Sequence, residues 1–384
     1  MKYISRYLET LFQEYISNFP VTAILGPRQC GKSTLIKEFM KDSASMLYLD
    51  LEKISDRDKL QNPEQFFLFN KNRQICLDEI QRLPEIFSVL RSVVDQNRMP
   101  GRFIILGSAS RDLIRQSSES LAGRIGYLEL TPFFFQEIKH IKDQNELWLQ
   151  GGFPDSLLAT PNHSKHWRNN FIRTFIERDI PQIGFSIPAD SIGRLWRMLA
   201  YNHGQILNLS NLGKSMGVSH TTIRHYIGLL NQTFMTREIK PYEQNIKKRL
   251  VRSPKIYIRD TGILHSLLNI NDLNELLSHP VYGFSWEGFI IENICSIKPD
   301  YETYFYRTSH GSELDLILQY GSRKLAFECK IADSPKPTKG FWHAIDSVKP
   351  DMVYIISPNA GKYPIKENVW VTGLEELLDE IRDI

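Results

Sequence analysis

Residues 26–33, GPRQCGKS, have the spacing G-x-x-x-x-G-K-S that is typical of a phosphate-binding loop. Glycines let the backbone curl until its N–H groups point at phosphate oxygens. Lys32 would reach the β- and γ-phosphates of a nucleotide, and the Ser33 hydroxyl would ligate Mg²⁺. A plain glycine-rich turn before a helix would not need Lys and Ser at these positions. The pattern therefore predicts an ATP site that comprises Gly26, Pro27, Arg28, Gln29, Cys30, Gly31, Lys32, Ser33 and Thr34.

Two acids, Asp78 and Glu79, end the apolar stretch that begins at Ile75. An apolar strand that ends in two acids has the form of a Walker B element. Asp78 would hold Mg²⁺, and Glu79 would orient and polarise the attacking water. Taken alone, the pair would be an ordinary acidic strand end, but its position after a phosphate loop favours the functional interpretation. Ser108 or Ser110, at and just after the end of another apolar stretch, could sense the γ-phosphate, and Arg124 could be an arginine finger in cis or in a neighbouring subunit.

A second set of acids lies near the C-terminus. Glu328 and Lys330 are two residues apart in an apolar stretch, so a strand would point both to one face. Asp315 lies in the preceding apolar stretch, and Glu287 lies on a predicted helix. Glu287, Asp315 and Glu328 would bind Mg²⁺ or Mn²⁺, and Lys330 would position the attacking water. This pattern resembles the PD-(D/E)xK nuclease core; the alternative is an inert set of acids paired with Lys330.

Strands and helices must alternate to position the first group of residues. The apolar segments 21–25, 46–51, 75–77 and 103–106 are separated by stretches with helical spacing. Such alternation predicts an α/β fold, here the parallel sheet of a P-loop NTPase wound with helices, with ligands at the carboxyl ends of the strands. We assign this ATPase domain to residues 1–135 and a helical linker or lid to 136–190. Gly151 and Gly152 could act as a hinge.

Residues 191–278 contain a helix-turn-helix pattern. A short helix at 211–216 is followed by a turn at 217–219 and a second helix at 220–231, and wing strands are expected at 234–240 and 255–259. The stretch 194–260 holds 12 Lys and Arg against three acids, a local excess of +9 in a chain of net charge +3. Such an excess favours contact with DNA, although winged helices also serve as lids and protein-docking modules. The groove-facing candidates are Thr221, Thr222, Arg224 and His225, and the phosphate-facing candidates are Lys247, Lys248, Arg249 and Arg252.

The order of several short motifs resembles a family of prokaryotic AAA-like ATPases. These motifs are GPRQCGKST, ICLDEIQRLP, ILGSAS, SLAGRIGYLELTPFFFQEI, GGFP and FIERDI. The resemblance implies ATP binding and a C-terminal domain of unknown function with a restriction-endonuclease-like α/β core, which we assign to residues 279–384. Cys30 departs from the expected pattern, but its side chain can point away from the phosphates.

Composition narrows the remaining choices. The four cysteines are scattered without a C-x-x-C pair, which argues against a disulfide framework or a zinc site and favours a reducing, cytoplasmic location. No signal peptide and no apolar run long enough to span a membrane is evident. Two hypotheses follow: an ATPase that acts on DNA, and an ATP-dependent switch that binds a protein partner and has an inactive nuclease-like domain. Either one could form a homo-oligomer.

Overall fold

The computed structural model describes residues 3–41, 46–108, 121–182, 187–242 and 252–384. It divides into two compact units. The first unit contains residues 1–133 and 229–235, and the second contains residues 134–228 and 236–384. The predicted phosphate contacts Lys247, Lys248 and Arg249 and the alternative γ-phosphate sensor Ser110 lie outside the described residues.

The first unit is built on a sheet of five parallel strands in the order β2-β3-β4-β1-β5. The strands are β1 (Val21–Leu25), β2 (Leu47–Asp50), β3 (Ile75–Asp78), β4 (Phe103–Gly107) and β5 (Ile125–Glu129). Every residue of β1, β3 and β4 is buried, as expected for a parallel sheet that is covered on both faces. The parallel sheet predicted from the sequence is confirmed, with β5 as an additional strand.

Helices cover both faces of this sheet. One core joins Val21, Leu77 and Ile105 to Leu90, and the other core joins alternate strand residues such as Ile24 to the helix after β1. The helices of the unit are Leu8–Asn18, Lys32–Met40, Ile54–Asp58, Pro63–Phe69 and Ile86–Gln96, with a 3₁₀ turn at Ile80–Arg82.

The second unit contains a mixed sheet of nine strands in the order β13-β14-β12-β11-β10-β9-β7-β8-β6. The strands are β6 (Gln205–Ile206), β7 (Thr236–Pro241), β8 (Lys255–Ile258), β9 (Glu302–Arg307), β10 (Glu313–Tyr320), β11 (Arg323–Cys329), β12 (Met352–Ile356), β13 (Tyr363–Lys366) and β14 (Val369–Thr372). β7 pairs with β9 in parallel, so one sheet includes strands from both sides of the predicted boundary at residue 278.

The helices of the remaining chain surround this sheet. Gly217, with φ of +69°, ends the helix Leu209–Met216 and turns the chain toward the helix that begins at His220. The helices are Phe135–Ile138, Gln144–Gln150, Pro154–Leu157, Pro161–Thr174, Ile180–Gln182, Ala189–Tyr201, Leu209–Met216, His220–Gln232, Thr261–Leu267, Leu273–Ser278, Tyr282–Ile297, Lys339–Val348 and Leu374–Arg382, with a π-helical turn at Phe175–Asp179.

The hinge predicted at Gly151 and Gly152 is wrong, because these glycines lie in a packed junction. The Gly152 N–H donates to Asp260 Oδ2 at 2.8 Å. A Cβ on Gly151 would lie 2.1 Å from Asp260 Oδ1, and a Cβ on Gly262 would lie 2.1 Å from the carbonyl oxygen of Gln150. The glycines therefore permit a close approach of two segments rather than a bend.

Within the described ranges, no helix is long and apolar enough to cross a membrane. Cys30, Cys76 and Cys295 are buried, and Cys329 is half-buried.

Candidate functional site

The glycine-rich loop connects β1 to the helix Lys32–Met40. A Cβ on Gly26 would lie 2.1 Å from the carbonyl oxygen of Leu130, and Gly31 has φ of +105°, so both positions need glycine. The buried Lys32 ammonium donates to the carbonyl oxygens of Gly26 at 2.9 Å and Pro27 at 2.8 Å. The helix N-terminus and the lysine thus meet at the loop, as an anion site requires.

Arg6 supports this loop from the N-terminal segment, and sequence reasoning missed it. Its guanidinium donates to the carbonyl oxygens of Cys30 at 2.9 Å and Thr131 at 2.5 Å and stacks 4.5 Å from the Phe133 ring centroid. Arg6 is only 5% exposed. The Cys30 thiol meets the Leu130 carbonyl at 3.3 Å. A single basic residue before a predicted helix carries no local signal of such a role.

Ser33 and Asp78 come together from the two predicted motifs. The Ser33 hydroxyl donates to Asp78 Oδ2 at 2.6 Å, and the Tyr48 phenol donates to the same oxygen. The other Asp78 oxygen accepts from the Glu79 N–H at 2.8 Å. Burial raises the pKa of Tyr48, and its hydrogen bond to Asp78 raises it further, so the phenol stays a donor. A hydroxyl beside a carboxylate offers the oxygen ligands that Mg²⁺ prefers, so the residues fit that ion.

Glu79 and Ser108 also lie side by side. Glu79 has φ of +55°, in the left-handed region that non-glycine residues seldom adopt. Its Oε2 accepts from the Gln81 side-chain amide and from the Ser108 hydroxyl, the latter at 3.3 Å. Gln81 also donates to the Ser108 hydroxyl at 3.0 Å. The ends of β3 and β4 therefore present one polar group next to Asp78.

Arg124 lies at the amino-terminal ends of the strands, whereas the loop lies at their carboxyl-terminal ends. It directly precedes Ile125, which pairs with Val21 at the start of β1, whereas the loop follows the end of β1. A five-residue strand is about 17 Å long, which separates Arg124 from the loop. Its guanidinium is held by both oxygens of Asp95 at 2.6 and 2.9 Å. A finger role in cis is therefore wrong, and a role in a neighbouring subunit stays a prediction.

The predicted C-terminal acids gather around a residue that sequence reasoning placed on a basic surface. Lys255 of β8 is 1% exposed. Its ammonium contacts Glu287 at 2.9 Å, Glu313 at 3.0 Å and Asp315 at 3.4 Å. Burial alone would lower the pKa of Lys255, but the surrounding carboxylates raise it well above its usual value. The lysine therefore stays charged inside the acidic cluster, which we define as Glu287, Glu313, Asp315 and Glu328.

Glu328 and Lys330 pair at this cluster, with 2.6 Å between Lys330 Nζ and Glu328 Oε1. Asp315 Oδ2 accepts from the Cys329 N–H at 2.9 Å. Burial, then repulsion from Asp315, raises the pKa of Glu287 to about 7 and that of Glu328 to about 8. Among the described residues, no three His, Cys, Asp or Glu side chains are arranged to hold a metal ion. The predicted acids meet, but they surround an ammonium group.

The basic stretch 194–260 is less basic at its surface than the sequence indicated. Arg237 and Arg259 both pair with Glu292, at 2.5 and 3.1 Å, and Arg224 pairs with Glu238 at 2.9 Å. Lys255 is buried. Thr222 is half-buried and donates its N–H to Ser219 Oγ at 3.0 Å. Among the described residues of this stretch, the exposed contact candidates are Arg194, Arg197, Lys214, Thr221, His225, Lys240 and Arg252, together with Arg224, which is exposed although it pairs with Glu238.

Comparison with protein families divides the chain into three parts. The model described as "AAA domain" matches residues 18–139. Models described as domains of unknown function match residues 141–274 (DUF8612) and 282–377 (DUF4143). The AAA match covers the loop and the acidic end of β3, the DUF8612 match includes Lys255, and the DUF4143 match includes all four acids of the acidic cluster.

The chain is also similar to curated proteins and to a solved structure. It is 39% identical over 360 residues to uncharacterized proteins of Mycobacterium tuberculosis and Mycobacterium bovis, which covers 94% of this chain and 81% of each relative. A Walker-type ATPase of Pyrococcus abyssi superposes with a TM-score of 0.44 and 15% identity, over 69% of this chain and 96% of that one.

Proposed function

The chain belongs to the same family as the mycobacterial relatives, and we propose that its AAA domain binds ATP and hydrolyses it with the help of Mg²⁺. The observation that carries this proposal is the 2.6 Å contact between Ser33 Oγ and Asp78 Oδ2. It joins the loop to the acidic end of β3, two segments that are 45 residues apart. β3 is separated from β1 by β4 in the sheet, so the contact brings together two strand ends that are not adjacent.

Each residue of the site would have a distinct task. The loop N–H groups and the N-terminus of the helix Lys32–Met40 would bind the phosphates, and Lys32 would exchange its carbonyl partners for them. Ser33 and Asp78 would hold Mg²⁺, which supplies charge neutralisation for the transferred phosphoryl group. Glu79 would orient the water, and Ser108 would report the γ-phosphate.

Loss of ATP binding in Lys32→Ala would test the loop assignment. Equilibrium titration with a fluorescent ATP analogue measures the affinity of the full chain, and phosphate release measures turnover. We expect Lys32→Ala to lose binding, because the variant removes the buried cation from the anion site. Full nucleotide affinity in a folded Lys32→Ala variant would contradict the proposal.

For the region 191–278 we propose a winged helix that contacts nucleic acid, so that nucleotide state is coupled to that contact. The order helix Ala189–Tyr201, β6, two helices, β7, β8 supports this reading, and so does the exposed start of the helix His220–Gln232. Thr221, Arg224 and His225 would face a groove, and Lys214, Lys240 and Arg252 would meet phosphates.

Salt dependence tests this contact. Affinity for a DNA duplex should fall by roughly 10³-fold between 50 and 200 mM salt if about six phosphates are contacted. Lys214→Ala should weaken binding of any sequence and lower the log–log salt slope by about one. Lys339→Ala, which removes an exposed lysine of the C-terminal region, should change neither quantity. Salt-independent or undetectable binding would contradict the proposal.

A second candidate is an ATP-dependent switch that binds a protein partner. The observation that favours it is Lys255, which fills the acidic cluster that a nuclease would use. In this case the C-terminal acids would be inert, and the exposed residues of 191–278 would form a docking surface. The same titration separates the two candidates, because a switch has no DNA affinity for salt to weaken.

A further inference from the structure

The acidic cluster has the composition of a divalent-metal site but already contains a cation. Lys255 Nζ lies 2.9–3.4 Å from oxygens of three carboxylates. These distances suit an ammonium–carboxylate contact, whereas Mg²⁺ and Ca²⁺ lie about 2.0–2.6 Å from their oxygen ligands. The carboxylate oxygens therefore lie at distances that suit the lysine ammonium rather than a bound metal ion.

Lys255 is held firmly in this position. Its backbone pairs with Ile206 of β6 on one side and with Ile239 of β7 on the other. Two residues later on the same face of β8, the Tyr257 hydroxyl donates to Glu287 Oε1, the oxygen that Lys255 also contacts. The ammonium lies 5.6 Å from the Phe305 ring centroid. The pairing of β8 on both sides fixes the backbone from which the Lys255 ammonium enters the cluster.

Charge in the cluster is close to balanced without a metal. Its four carboxylates meet the cations of Lys255, Lys330 and Arg307, the last of which lies 3.7 Å from Glu313. Counted over these groups, the carboxylates exceed the cations by one charge, so a bound divalent ion would turn this deficit into an excess of one positive charge.

One ligand atom of the cluster stays unused. Glu328 is 6% exposed, and its buried Oε2 has no hydrogen-bond partner among the residues that the structure describes. A buried polar atom without a partner costs about 1–3 kcal/mol in a folded protein. The Lys255 ammonium has only three N–H donors, whereas the four carboxylates of the cluster offer more acceptor oxygens than that, so an oxygen without a partner is expected.

From these contacts we propose that the acidic cluster is a closed metal site, in which the Lys255 ammonium takes the place of a divalent cation and keeps Mg²⁺ and Mn²⁺ out. Removal of the ammonium leaves Glu287 and Asp315 as buried acids without a cation partner from β8. Such acids either bind a metal or take up protons. The inference does not depend on the proposed ATPase function, because no residue of the AAA domain takes part.

Mn²⁺ binding to the nucleotide-free full chain tests this inference, with free Mn²⁺ measured by electron paramagnetic resonance. Wild type and Asp315→Asn should bind Mn²⁺ equally weakly. Lys255→Ala should gain one site with at least about tenfold higher affinity, since the competing cation has gone. The double variant Lys255→Ala/Asp315→Asn should lose that site again, and Lys339→Ala should match wild type.

Two results would overturn the inference. The first is Mn²⁺ binding by wild type that Asp315→Asn abolishes, which would place a metal beside Lys255. The second is a folded Lys255→Ala variant without a new site. Lys255→Met keeps the length of the side chain and should gain the same site, so it replaces the alanine variant if that one does not fold. If neither folds, the comparison of wild type with Asp315→Asn decides the question alone.

Discussion

Arg6 provides the most direct test of how the nucleotide loop is held. It lies outside the matched AAA segment but donates to a loop carbonyl, that of Cys30, and to the carbonyl of Thr131 beyond β5. Hydrogen bonds from a charged donor contribute about 1.5–3 kcal/mol each, and the contact with Phe133 adds about 1 kcal/mol. Because these terms are not additive, we expect Arg6→Ala to destabilise the first unit by about 3–4 kcal/mol.

Arg6→Ala should also lower the affinity of the first unit for ATP. The loop presents its N–H groups correctly only while its carbonyl at Cys30 is anchored, so a free loop must be ordered again when ATP binds. If ordering the loop costs about 1.4–2.8 kcal/mol of the binding free energy, ATP affinity falls by about 10–100-fold. Arg6→Lys keeps the positive charge, but a lysine ammonium cannot bond both carbonyls as the planar guanidinium does. The ATP affinity of this variant should therefore lie between those of Arg6→Ala and wild type.

The assay combines thermal melting with titration of a fluorescent ATP analogue in the presence of Mg²⁺. Arg57→Ala is a matched control, because Arg57 is an exposed arginine of the same unit. Unchanged ATP affinity in a folded Arg6→Ala variant would refute the idea that Arg6 orders the loop. Unchanged melting as well would refute the calculated contribution to stability.

Three further predictions concern other sites. Glu79→Gln should keep ATP binding but lower phosphate release by about 100-fold or more, and equal loss of both would contradict its role at the water. Gly151→Ala should lower the melting temperature, because its Cβ meets Asp260, whereas Gly228→Ala has open space around its Cβ and should be tolerated. Desolvation raises the pKa of Asp260 from its ordinary 3.8 to about 6, so the folded state keeps a proton that the unfolded state releases. Stability from this group therefore declines as pH rises from about 4 to 6, by about 3 kcal/mol, and urea unfolding of Asp260→Asn should lack this decline. A steeper decline in the variant would contradict the assignment.

Sequence patterns correctly predicted the loop and the strands whose conformation depends mainly on neighbouring residues in the chain. Gly31 is needed because its φ of +105° is a local requirement of one turn, and β1 and β3 are largely apolar runs. The strands that carry Asp315 and Glu328 were also found, because an acid inside an apolar run is visible in the sequence. In these places the short-range requirement and the final fold agree.

Contacts between distant segments could not be predicted in the same way. Lys255 was counted with the basic residues of 194–260, and only the pairing of β7 with β9 brings it to acids that lie 32 to 60 residues further on. Arg124 follows the expected order of motifs. However, β5 pairs in parallel with β1, which places Arg124 at the end of the sheet opposite to the loop. Gly151 and Gly152 look like a flexible turn until Asp260 is placed against them.

The parallel pairing of β7 with β9 also affects how such chains can be inherited. Lys240 pairs with Tyr304, and Pro241 pairs with Phe305. Recombination that replaced all residues after 278 would pair β7 with a strand from another protein. The new pair of strands would have to match in register and twist. It would also have to match Lys255 with the acids of the incoming segment. We therefore expect the two segments to descend together as a single heritable block.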